Sequence, residues 1–159
     1  RAIAYQIARL GISNSTGSPV RYSLFRTIMS AQKTFDGVLE NVFSASAPAE
    51  LIQPSRDEVI ANNVVDFGVW ISKREPDGVE TSLYPTTGNT REISGNVDRG
   101  VIWIMIRILT EEGAAQLEAM ENGNVLKPTD LTMADWWWKE VESHSHVFTR
   151  RIELKGEAI

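Results

Sequence analysis

Nine consecutive residues, Val101-Ile-Trp-Ile-Met-Ile-Arg-Ile-Leu109, constrain this chain more than any other segment. The run is apolar on alternate and intervening positions alike and is rich in β-branched residues. Its uninterrupted part, Val101–Ile106, has the length of a strand and falls far short of the roughly 18 residues that a membrane span needs. A strand that is apolar on both faces belongs in the middle of a sheet with cover on each side. Arg107 is its one charge, expected near the strand end or paired with a carboxylate.

The chain has 159 residues, of which 42% are hydrophobic and 23% charged, so it reads as a single domain. At this size folding buries roughly 68–70% of the surface of the unfolded chain, and the core needs neither a metal nor a disulfide. Cysteine is absent, which removes disulfides, thiol nucleophiles and thiolate metal sites together. With no signal peptide visible, a soluble protein of the cytoplasm or a virion is favoured over a secreted one. The sequence opens on Arg1 and not on Met, so any leader or longer reading frame lies outside it.

Residues 1–12 fit a helical stripe (Ile3, Ile7, Leu10) and a strand face (Ile3, Tyr5, Ile7), and helix is the favoured reading. Residues 1–17 can also extend as an arm onto a neighbour. Ser18-Pro19 then reads as an N-cap followed by proline at the first helical position. Val20, Leu24, Ile28, Ala31, Phe35, Val38 and Val42 continue it as the stripe of a long helix reaching Phe43. Ser44–Pro54 is a connector, and Ser55-Arg-Asp-Glu58 has the form of a capping box opening a short helix through Asn62. Val64–Lys73 and Val79–Tyr84 form a hairpin about Pro76-Asp77-Gly78, with Phe67, Val69 and Ile71 on one face and Trp70 on the other. Pro85–Gly100 is a long polar loop. Thr110 and Thr132 each open a helix, the first ending near Gly123, and His146–Leu154 is a last strand. The expected fold is α+β: a mainly antiparallel sheet, a long helix in the N-terminal half and two further helices before the last strand.

Charge is unevenly spread. Residues 1–35 carry Arg1, Arg9, Arg21, Arg26 and Lys33 and no acid, a charge of +5, whereas residues 36–159 hold the other 11 bases and all 21 acids, a charge of −10. A basic end on an acidic body suits contact with nucleic acid, with an anionic surface or with the acidic body of a neighbouring copy. It also fits an ordinary solvated surface. Trp136, Trp137 and Trp138 span about 200° of a helix circumference, so one of them, with Trp137 the first candidate, meets solvent, a partner or a ligand. Arg91 and Arg99 in the long loop form a second candidate binding edge.

Catalytic signatures are missing: there is no phosphate-binding or dinucleotide glycine motif, no nucleophile elbow and no H-E-x-x-H. His144 and His146 are the only histidines, and with Asp135, Glu140 or Glu142 they could compose a two-histidine, one-carboxylate metal site. Exposure at the start of a strand is the plainer account of both. The sequence therefore points to a non-enzymatic binding or assembly protein without cofactor or metal. It self-associates as a homo-oligomer, in the manner of viral structural proteins, and meets nucleic acid or an anionic surface through Arg9, Arg21, Arg26 and Lys33. The alternative is a small enzyme or ligand-binding domain with a pocket between helix and sheet that uses His144 and His146.

Overall fold

A computed structural model describes residues 3–13, 15–32, 54–85 and 100–154. The chain divides into two compact units, Arg1–Val65 with Ile108–His146, and Asp66–Arg107 with Val147–Ile159. Among the described residues, seven strands form two mostly antiparallel sheets, one of three strands and one of four, and there are two short helices.

In the first unit β1 (Ile3–Gly11) pairs antiparallel with β2 (Val20–Ile28), from Ile3 opposite Ile28 to Gly11 opposite Val20, and β2 pairs with β3 (Val59–Asn62). The helix expected to start at Pro19 is thus a strand over its first third, and the helical reading of residues 1–12 gives way to β1. Residues 33–43 of that expected helix, and the connector after it, lie outside the described residues. The cause of the misreading is arithmetic. Val20, Leu24 and Ile28 are spaced by four, which fits one face of a helix and equally every second position of a strand. Strand-forming side chains settle it, since Val20, Tyr22, Phe25, Thr27 and Ile28 are all β-branched or aromatic. Ser18 does act as a cap, but on a β-connection: its Oγ accepts the Ser13 N–H at 2.8 Å, and the Pro19 carbonyl accepts the Ile12 N–H at 2.9 Å.

Ser55 and Glu58 form the capping box expected of them, each side chain accepting the other's backbone N–H. The turn they cap is a single 3-10 turn, Arg56–Glu58, which passes directly into β3 and not into a helix. Asn63 then redirects the chain from β3 into β4 (Val64–Arg74) with a positive φ of 60°, a conformation asparagine tolerates better than most residues. Its amide nitrogen donates to Glu111 Oε1 at 2.7 Å and its carbonyl accepts the Leu109 N–H at 2.8 Å.

Helices α1 (Glu111–Glu121) and α2 (Met133–Ser143) begin at threonines whose hydroxyls accept backbone N–H groups, Thr110 from Gly113 and Thr132 from Asp135. Gly123, at φ 73°, follows the end of α1 in the left-handed conformation that favours glycine. Leu117 (1% exposed), Met120, Trp136 and Val141 (0%) form the core of this unit with Leu109 and Ala114. Each such side chain contributes about 1.5–3 kcal/mol by leaving water.

α1 approaches the end of α2 at Gly113, where a Cβ would lie 3.0 Å from the His144 carbonyl oxygen and press on the His144 Cβ. Neither atom can swing away. Gly113→Ala is therefore expected to lower stability by about 1–3 kcal/mol, outweighing the gain of about 1 kcal/mol in helix propensity. Thermal unfolding monitored by circular dichroism checks this, with an expected fall in Tm of several degrees; an unchanged or raised Tm would refute the close approach.

Candidate self-association surface

Two of the basic residues of the first 35, Arg9 and Arg21, meet acids of their own chain. Glu118 and Glu121 stand three residues apart on α1, hence on one face of the helix. Arg9 Nε lies 2.5 Å from Glu121 Oε2, while Glu121 Oε1 accepts the Tyr22 hydroxyl at 2.5 Å and the Trp137 indole N–H at 3.0 Å. Arg21 pairs with Glu118, whose other oxygen accepts the Val20 backbone N–H at 2.8 Å. Arg9 and Trp137, two of the candidates named from sequence, thus converge on one carboxylate. Arg26 is exposed and is not drawn into this cluster. Lys33, Arg91 and Arg99 lie outside the described residues. The acids that complete the cluster were not singled out by sequence reading. Their signal was there in the Glu-x-x-Glu spacing of a helix in a net-acidic body.

The three tryptophans separate as their spacing requires. Trp136 is buried at 5% exposure, Trp137 packs edge-on against Tyr22 with ring centroids 5.9 Å apart, and Trp138 is exposed, edge-on to Trp137 at 5.0 Å. The histidines do not share a strand face. His144 is the C-cap of α2, its Nδ1 2.8 Å from Ser143 Oγ, and His146 is exposed in β7 (Ser145–Glu153). Among the described residues no group of histidines and carboxylates could hold a metal ion, and no helix is long and apolar enough to cross a membrane.

The second unit departs most from expectation. β4 and β5 (Glu80–Tyr84) make the expected hairpin, with Arg74 opposite Glu80 and Ile71 opposite Tyr84, and β6 (Gly100–Leu109) lies between β4 and β7. So the apolar nonapeptide is central. Val101 and Leu109 are buried, Trp103 is exposed and the other residues from Ile102 to Ile108 are half-buried, so the burial expected on both faces is partial. Both helices of the described residues belong to the first unit.

Contacts assign the two faces of this sheet. Ser72 donates to Glu80 at 3.2 Å, Arg151 donates to the other oxygen of Glu80 at 3.1 Å, and the Arg151 guanidinium lies over the Trp103 ring, 5.7 Å from its centroid. One residue from each strand therefore shares this polar face. Alternation adds Trp70 and Gly68 in β4, with the Trp70 ring lying over Gly68. The same alternation places Phe67, Val69 and Ile71 of β4 on the opposite face. Ile102, Ile104 and Ile106 of β6 join them there, with Phe148, Arg150 and Ile152 of β7. None of these nine side chains is buried; Phe148 is 55% and Ile152 39% exposed.

Comparison with protein-family models, with curated proteins and with solved structures found no match.

The Glu118 and Tyr22 environments give opposite pH signatures. The Val20 N–H and then the Arg21 guanidinium hold the Glu118 carboxyl below the usual carboxylate range. Its contribution to stability is present above that range and lost as pH falls through the folded value. Burial, with the Glu121 hydrogen bond and charge, pushes the Tyr22 hydroxyl up to about 12. Its contribution is complete below the ordinary tyrosine value of about 10 and is lost as pH rises through about 12. Ultraviolet titration should show a tyrosinate step near pH 12 that Tyr22→Phe removes, at a cost of about 1 kcal/mol for the lost hydrogen bond. Glu118→Gln should flatten the acid limb of the stability profile. A Tyr22→Phe titration identical to that of the parent would disprove the assignment.

Proposed function

We propose that this protein is a non-catalytic assembly subunit whose function is to associate with copies of itself. The observation that carries the reading is the state of β6. The most apolar segment of the chain sits at the centre of a sheet, yet Ile102, Ile104 and Ile106 keep part of their surface in water. Water contact of this kind is unfavourable by about 25 cal/mol for each Å² left exposed, and a partner surface relieves it.

Among the described residues of the basic N-terminal part, Arg26 alone supports a contact with nucleic acid or an anionic surface, because Glu121 and Glu118 already neutralise Arg9 and Arg21. Two clefts of the first unit, one beside Leu10, Phe25 and Asn62 and one beside Arg26 and Glu58, are lined by neither histidine.

Light scattering after size exclusion tests the proposal. A mass that is a multiple of 17.8 kDa is expected. It should persist at high salt and weaken on cooling, as association through apolar surface does. A constant single-chain mass at every concentration would refute self-association. A multiple lost at high salt would assign assembly to charge and move it away from the sheet.

A further inference from the structure

The C-terminal end of α1 carries chemistry that the self-association reading does not use. We infer that Asn122–Gly123 is a site of spontaneous covalent modification, in which the Asn122 carboxamide becomes a carboxylate, and that the last turn of α1 is its gate. Of the asparagines in the chain, Asn122 alone precedes a glycine.

The reaction needs only water. The Gly123 backbone nitrogen attacks Cγ of Asn122, and the new C–N bond forms as the carboxamide C–N bond breaks. The proton released by the Gly123 N–H passes through solvent to the leaving group, which departs as ammonia. The five-membered succinimide so formed takes up one water at either of its carbonyls. One opening leaves aspartate; the other leaves isoaspartate, whose backbone runs through the former side-chain carbon. Glycine is the residue that permits this attack best, because no Cβ crowds its nitrogen. Asn63 and Asn124 are each followed by a β-branched valine, and Asn62 by Asn63. Asn122, Gly123 and Asn124 are all exposed, so solvent reaches the reacting atoms.

Geometry sets the gate. Asn122 is the C-cap of α1 with ψ 0°, and Gly123 follows at φ 73°. The Gly123 N–H donates to the Met120 carbonyl at 3.0 Å and the Asn124 N–H to the Ala119 carbonyl at 2.8 Å, the paired bonds that close a helix on glycine. The attacking nitrogen is thus turned toward the helix with its proton engaged, and it must be released before it can swing onto Cγ. Release is the fraying of one turn, the least costly opening a helix has. Glu121 opposes it, because the side chain next to Asn122 is tied to Arg9 of β1, Tyr22 of β2 and Trp137 of α2.

The product acts back on the gate. A carboxylate at position 122 stands at the negative end of α1 and four residues from Glu118, and both placements are unfavourable. Isoaspartate also inserts one backbone carbon before Gly123, which draws the Gly123 and Asn124 N–H groups off their carbonyls. Each modified copy therefore closes α1 less firmly than a new one.

Peptide mapping by mass spectrometry tests this on the full chain, incubated at mildly alkaline pH either folded in buffer or unfolded in guanidinium chloride. In the folded chain Asn122 should be the first asparagine converted, to aspartate and isoaspartate together, at a rate about 10-fold or more below that of the unfolded chain. Tyr22→Phe takes one hydrogen bond from Glu121 and should raise the folded rate about 2- to 5-fold, with circular dichroism confirming that the variant is folded. An Asn122 that stays intact in the folded chain while the unfolded chain is converted, or that another asparagine precedes, overturns the site. Equal rates in the folded and unfolded chains, or a Tyr22→Phe rate equal to that of the parent, overturn the gate.

Discussion

A β-sheet has two faces, and each must be covered or made polar. That constraint governs this molecule, because the two helices of the described residues are only 11 residues each and are spent on one core. Leu117 and Met120 of α1 meet Trp136 and Val141 of α2 there, and Leu109 joins them. Among the described residues the β5-β4-β6-β7 sheet has no helix within its unit. Its Ser72–Glu80–Arg151 contacts gather on one face, and the other carries the isoleucines of β6 together with Arg150 of β7.

The first unit answers a different difficulty. Its β1 and β2 strands bring arginines close to α1, and a half-buried guanidinium without a counter-charge is costly. Glu118 and Glu121 supply that charge from one helical face, and Glu121 also receives Tyr22 and Trp137. The asymmetry between a basic beginning and an acidic remainder is thus partly resolved inside one chain. Long-range sequence separation hides such pairing: Arg21 and Glu118 are 97 residues apart.

What could be read from sequence was local. The turn at Pro76-Asp77-Gly78, the capping threonines at 110 and 132, the capping box at Ser55 and the strand at Val101–Leu109 each follow from chemistry within a few residues. What could not be read depended on partners elsewhere. A spacing of four in Val20, Leu24 and Ile28 has no single meaning until β1 and β3 lie beside it. The capping box said that a helical turn begins at Ser55, not that it lasts three residues. The composition of β6 states a demand for burial, but not that the strand is buried at its ends and half-buried between them. The candidate site divided along the same line. Trp137 was legible from the angular spread of three tryptophans, whereas its meeting with Arg9 at Glu121 was a tertiary fact.

Gly68 carries a consequence for how the sheet presents its tryptophan to water. The Trp70 indole rests on this glycine, and a Cβ there would meet the ring at 2.5 Å. The ring is thereby kept flat against β4, so that the polar face stays low and wettable despite its tryptophan. A side chain at position 68 would lift the ring and give that face an apolar projection. The missing methyl of Gly68 thus decides how much of its tryptophan that face raises into water.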